Sequence, residues 1–212
     1  MASFSNKNGV IITLDLIDII NANKQYLSDL DGLIGDGDHG INMSKGFSKA
    51  KKLIDETQDN LSSSLKILGT ILIDEIGGSM GPIYGSMFLA FARNSKKHEL
   101  IDEKVFSEMI NNGLEKIVSL GEAKVGDKTL VDTITPAVRA FDEVIAKGES
   151  FATALEMMKI AAEKGRDSTK DMVAKKGRAS RLGERSKGVL DTGAVSCCLI
   201  LTSISESMNK ML

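Results

Sequence analysis

Val10-Ile-Ile-Thr-Leu-Asp-Leu-Ile-Asp-Ile-Ile20 opens the stretch, running on to Leu30, that decides the class of fold. Ile12, Leu16, Ile19 and Ile20 recur at intervals of three and four, which lines them up as one apolar stripe on a helix. The same spacing returns at residues 41–56, 61–76, 83–94, 103–119, 130–147, 151–174 and 192–210. Strict apolar–polar alternation is scarce, aromatic residues make up 4% of the chain and there are two prolines, so neither a sandwich nor a parallel sheet is supported. Each amphipathic segment needs a partner face to bury its stripe, and the expectation is an all-α antiparallel bundle of about eight helices. No internal repeat, linker or low-complexity tract divides the 212 residues, so 1–212 reads as one domain.

Composition narrows the function classes. Hydrophobic residues are 42%, charged residues 26% and the net charge is -2, which gives no global attraction to nucleic acid or anionic lipid. The apolar run at 10–20 is interrupted by Thr13, Asp15 and Asp18, so it lacks the continuous centre of a signal peptide. No run approaches the roughly 20 apolar residues of a membrane span, and a cytoplasmic protein is expected. The two cysteines, Cys197 and Cys198, are adjacent in an apolar segment, which suits a reduced, buried pair.

Many of the twenty glycines fall in four polar loops, at 31–40, 77–85, 121–129 and 177–193. The first, Asp31-Gly-Leu-Ile-Gly-Asp36-Gly-Asp38-His-Gly40, carries three carboxylates in eight residues. Such a knot of charge calls for a hard cation, and Mg²⁺ takes a few carboxylates and completes its shell with water and phosphate oxygens. A calcium loop counted from Asp36 would need Glu at its twelfth position, where Phe47 stands. Gly35-x-Gly37-x-x-Gly40 matches the dinucleotide fingerprint literally, but Leu27 to Ile34 does not read as a strand.

Gly77-Gly-Ser79-Met80-Gly81-Pro82 runs into an apolar helix with Pro82 in its first turn, and free amides at a helix start make a phosphate cradle. Gly121-Glu-Ala-Lys-Val-Gly126-Asp127-Lys128-Thr129 is not a P-loop, because Asp127 intervenes before the Lys-Thr pair and a helix precedes it. Lys128 and Thr129 could still offer charge and hydroxyl to phosphate, although a loop lysine usually faces solvent. Residues 164–188 hold nine basic side chains against three acidic ones. Their glycine-punctuated centre, Gly177-Arg178-Ala-Ser180-Arg181-Leu-Gly183-Glu184-Arg185-Ser186, reads as a lid whose guanidinium groups grip an anion. Asp191-Thr-Gly193 opens the last helix, with Asp191 as its N-cap. A metal knot beside basic and glycine-rich helix ends describes nucleotide polyphosphate chemistry. A nucleic-acid patch is disfavoured, since the basic stretch lacks interleaved aromatics.

Gly35-Asp-Gly-Asp-His-Gly40, Gly77-Gly-Ser-Met-Gly-Pro82, Gly126-Asp-Lys-Thr129 and Gly177-Arg-Ala-Ser-Arg-Leu-Gly-Glu-Arg-Ser186 occur in the order and spacing of the dihydroxyacetone kinase L subunit, and nearly the whole chain resembles that family. The resemblance implies an eight-helix barrel with ADP or ATP at one end and two Mg²⁺ ions on Asp31, Asp36 and Asp38. It implies nucleotide contacts at His39, Gly40, Ile41, Asn42, Ser79, Met80, Gly121, Leu130, Arg178, Asp191, Thr192 and Gly193. Asp36, Asp38 and Arg178 would carry the transfer itself. It further implies a sugar held on a separate K subunit and, for stand-alone L subunits, recharging by a phosphohistidine protein, the M subunit of the phosphotransferase system. The same resemblance allows a nucleotide-loaded regulatory module acting on a transcription regulator, or a kinase subunit for a different substrate. Two positions depart from the family pattern. Met80 stands where a small hydroxyl residue is usual, and Thr192 replaces the usual proline.

Overall fold

The computed structural model describes residues 2–212, and the helices follow from the apolar stripes. They are α1 (Val10–Ala22), α2 (Lys24–Ile34), α3 (His39–Lys51), α4 (Leu61–Glu75), α5 (Met80–Ser95), α6 (Glu103–Gly121), α7 (Val131–Ala146), α8 (Phe151–Ser168) and α9 (Thr192–Asn209). Most of the α1 stripe is used: Ile12, Leu16 and Ile20 are buried, Ile19 is partly buried against the core, and Ile17 is buried beside them.

The helix expected over 10–30 is two helices. Asn23 turns its side chain back to donate to the Ile19 carbonyl at 2.8 Å, closing α1, and α2 starts anew at Lys24. Instead of extending α1, α2 packs on α3 and also contacts α9. A second departure is a short antiparallel pair, β1 (Ser3–Ser5) with β2 (Leu100–Asp102), too brief to leave an alternation signal. Asn6 anchors this end, donating to Ser62 Oγ, Ser95 O and His98 O.

From α3 to α9 each helix packs on its successor, and α9 and α3 both pack on α1, which closes the ring. The eight-helix barrel implied by the resemblance is therefore present, with α2 an additional short helix at its end. Two edge-to-face aromatic groups fill the interior, Phe47–Phe88–Phe91 and Phe106–Phe141–Phe151. Such pairs add ~0.5–1.5 kcal/mol each beyond simple burial. Cys197 and Cys198 are free and buried, as expected. Among the described residues no helix is long and apolar enough to cross a membrane.

The ring decides where the site can be. Residues from every second connection line one cavity, so these connections fall at the same end. The connections α2–α3, α4–α5, α6–α7 and α8–α9 are the four glycine-rich loops, and they meet there.

Candidate nucleotide and metal site

A cavity of about 410 Å³ opens at that end and is lined from all four loops. Its first wall is the acidic turn. Asp31 lies in the last turn of α2, while Asp36 and Asp38 follow in the short link to α3. One oxygen from each carboxylate lies within 4.8 Å of the others. The Asp38 amide donates to Asp31 Oδ2 at 3.1 Å, which fixes the turn. A Cβ at Gly35 would meet Asp31 Oδ1 at 2.5 Å, so only glycine lets the Asp31 carboxylate fold over the backbone. Gly40 is equally constrained, because a Cβ there would lie 2.0 Å from the Lys24 carbonyl where α3 crosses α2.

Three oxygen donors grouped in this way suit a hard cation such as Mg²⁺. The structure also places a positive group on them: the Arg178 guanidinium pairs with Asp36. The carboxylate cluster therefore fits the metal that the sequence implies.

The second wall is helix starts. Among the described residues no side chain caps α3 at Asp38 or α5 at Ser79, so their first amides remain available at the positive ends of the helix dipoles. Ser79 and Met80 line the cavity, and the Met80 side chain packs against the core as an apolar wall. Asp191 caps α9 by accepting from the Ala194 amide at 2.7 Å. Burial pushes the Asp191 carboxyl up to about 7, against the Ala194 amide and Lys128, which favour its charge. Thr192, Gly193, Gly121 and Leu130 complete the lining, together with His39 and Arg178. Gly40, Ile41 and Asn42 are not among the lining residues. Gly40 is buried in the α2–α3 contact, and the Ile41 side chain is exposed.

Several contacts of the site were not legible in the sequence. His39 Nε2 lies 2.9 Å from Ser196 Oγ, and that hydroxyl lies 2.7 Å from the Tyr84 hydroxyl, which donates to Gly193 O. Burial pushes the His39 imidazole down to about 4, so it is neutral at physiological pH. Asp132 is buried and accepts from the Gly126 and Thr129 amides at 2.5 and 2.8 Å. The Thr129-x-x-Asp132 spacing, a capping-box pattern, could have revealed it. Lys128 corrects the sequence reading in both directions. It is neither solvent-facing nor free for phosphate, because it is 1% exposed and its ammonium donates to the carbonyls of Thr169, Met172, Ser186 and Val189.

The DAK2 domain model matches residues 33–206, the span that contains most of this cavity. The chain belongs to the DAK2-domain family. The similarity extends over most of the chain: the sequence is 39% identical over 189 residues to the PEP-dependent dihydroxyacetone kinase 1, ADP-binding subunit DhaL, of Listeria innocua, covering 89% of each chain. It is 35% identical over 189 residues to the corresponding ADP-binding subunit of Escherichia coli, covering 89% of this chain and 90% of that one. The fold of this DAK2 domain also matches the crystal structure of the dihydroxyacetone kinase from C. freundii in complex with AMP-PNP and Mg²⁺, with a TM-score of 0.70 at 22% identity. That match covers 93% of this chain and 33% of the larger kinase.

Proposed function

We propose that this DAK2 domain is the ADP/ATP-holding subunit of a kinase for dihydroxyacetone or a related short ketose. It passes phosphate from Mg²⁺-bound nucleotide to a sugar held by a separate K subunit, and a phosphohistidine M subunit of the phosphotransferase system recharges it. The whole of 1–212 acts as one nucleotide-holding domain in the cytoplasm. The observation that carries this reading is the convergence of three carboxylates, two uncapped helix starts and Arg178 on one cavity. Similarity to ADP-binding subunits over nine-tenths of the chain supports it.

The parts divide the work by charge. Asp31, Asp36 and Asp38 would hold Mg²⁺, two ions by the family resemblance, which when bound neutralises phosphate charge and orients it for transfer. The amides at the starts of α3 and α5 donate to phosphate oxygens without any reorganisation, because the helices fix them. His39 is held by Ser196 and stays neutral, adding a polar wall without a second cation. Arg178 reaches the carboxylate cluster from the opposite loop, where its guanidinium stabilises charge that shifts between donor and acceptor. The Met80 and Leu130 side chains give the apolar contact that a purine ring needs.

The direct test is the nucleotide content of the protein as purified, followed by calorimetric titration with Mg-ADP. Copurifying ADP or ATP, or Mg-dependent binding of added ADP, is the expected result. A chain that binds neither nucleotide in the presence of Mg²⁺ overturns the reading.

A further inference from the structure

The middle of the connection from α8 to α9, residues 175–187, has little hydrophobic anchorage. Two 3-10 turns, Thr169–Asp171 and Arg178–Ser186, bracket it, and within the second only Ser186 is buried. A loop with so little apolar burial cannot hold a fixed position by packing. Yet it carries Arg178, whose side chain is 62% exposed and spans the cavity to Asp36.

What fixes this loop is polar. Lys128 projects from the α6–α7 connection with its ammonium between the two ends of the loop. It donates to Thr169 O at 2.8 Å and Met172 O at 3.2 Å on the incoming side, and to Ser186 O at 2.7 Å and Val189 O at 2.6 Å on the outgoing side. An ammonium has three protons, so four carbonyls use all of them. The same neck is tied by the Ala174 amide to Ser186 Oγ at 2.9 Å and by the Gly188 amide to Lys170 O at 2.8 Å. Lys128 is rigid in turn, because Asp132 holds the amides of Gly126 and Thr129 on either side of it. Its backbone sits at φ +61°, a left-handed conformation that a lysine adopts only when its surroundings impose it.

We propose that Lys128 is a positioning residue: its buried ammonium clamps the neck of the 173–187 loop to the α6–α7 turn and thereby places the Arg178 guanidinium over the Asp31–Asp36–Asp38 cluster. The consequence for phosphoryl transfer rests on the function proposed above, whereas the clamp itself does not. Lys128 touches no phosphate in this arrangement. Its effect on turnover passes through Arg178.

The test uses the full chain and Lys128→Met, which keeps a stem of similar length and removes the charge. Without nucleotide or partner, hydrogen exchange of amides 173–187 and tryptic cleavage after Arg178, Arg181 and Arg185 should both accelerate about tenfold or more, the equivalent of one lost charge-assisted hydrogen bond. Exchange in α4 and α5 should stay at the unmutated rate. In transfer assays with the sugar-binding partner, kcat should fall about 10²-fold with little change in nucleotide KM, as for loss of one transition-state donor. Lys128→Met combined with Arg178→Ala should be no slower than Arg178→Ala alone, because both act along one path. If Lys128→Met fails to fold, Ser186→Ala opens the same neck more mildly and should speed exchange of 173–187 by about threefold or more, with intact ellipticity. Unchanged loop exchange in the folded variant, or multiplicative losses in the double variant, overturns the proposal. A loosened loop in a chain whose unmutated form transfers no phosphate would uphold the clamp and defeat the functional reading instead.

Discussion

Asp36 has two claimants, the cation that the carboxylate cluster suits and the Arg178 guanidinium that pairs with it. Removing its charge without changing its size separates them. Asp36→Asn and Asp38→Asn should each weaken Mg-ADP binding at least about 10–100-fold, since even outer-shell changes at metal sites cost that much. Circular dichroism should show the helices intact, and titration showing unaltered affinity in both variants would remove the metal assignment. Arg178→Ala should leave Mg-ADP affinity nearly unchanged while slowing transfer about 10²–10³-fold, the range for a donor that acts in the transition state. Turnover equal to that of the unmutated chain, measured with all partners present, would contradict that role. At this scale the sequence was informative where chemistry is local. Asp31, Asp36 and Asp38 lie within eight residues, so their clustering could be read directly. The His39–Ser196–Tyr84 chain could not, because its members are 157 and 112 positions apart and only the barrel brings them together. Lys128 was misread for the same reason: the nearest of its four carbonyl partners in sequence is 41 residues away.

Among the elements, the crossing of α2 and α3 sets the geometry of the acidic turn. Gly40→Ala places a methyl group 2.0 Å from the Lys24 carbonyl, so the helices must separate. A loss of about 1–3 kcal/mol is expected in denaturant unfolding, the usual cost of overpacking, accompanied by weaker Mg²⁺ binding. Unfolding at the unmutated midpoint would show that the crossing tolerates the methyl group. The start of α9 supplies a pH-dependent case. The Asp191 carboxyl is raised from 3.8 to about 7 by burial, so folding favours its protonated form. Its contribution is complete below the unfolded pKa and is lost as pH rises to about 7. Asp191→Asn retains a capping side chain and should remove that loss. The Tm of the variant should gain on the unmutated chain between pH 4 and 7, and Tm–pH curves that run parallel would argue against it. The helices themselves were legible because burial enforces their period. The break at Asn23 was not, since apolar spacing continues across it and the deciding feature is one side chain bonding to the Ile19 carbonyl. The β1–β2 pair was invisible because three residues per strand cannot establish a pattern.

At the scale of the whole molecule, the ring of helices explains why four loops dispersed over some 160 residues form one site: it brings the connections before α3, α5, α7 and α9 to the same end. That end brings together three carboxylates, helix-start amides and a guanidinium, a set suited to a metal-bound phosphate. On the proposed function, half of a kinase site is encoded here, and docking against a sugar-bearing partner would exclude water from the bound phosphate. Sugar phosphate formation is therefore the decisive measurement, made with ATP, Mg²⁺ and dihydroxyacetone on the purified chain alone and again with a K subunit added. The account predicts no product from the chain alone and product once the partner is present. Sugar phosphate from the isolated chain, with partner contamination excluded by mass spectrometry, would contradict it.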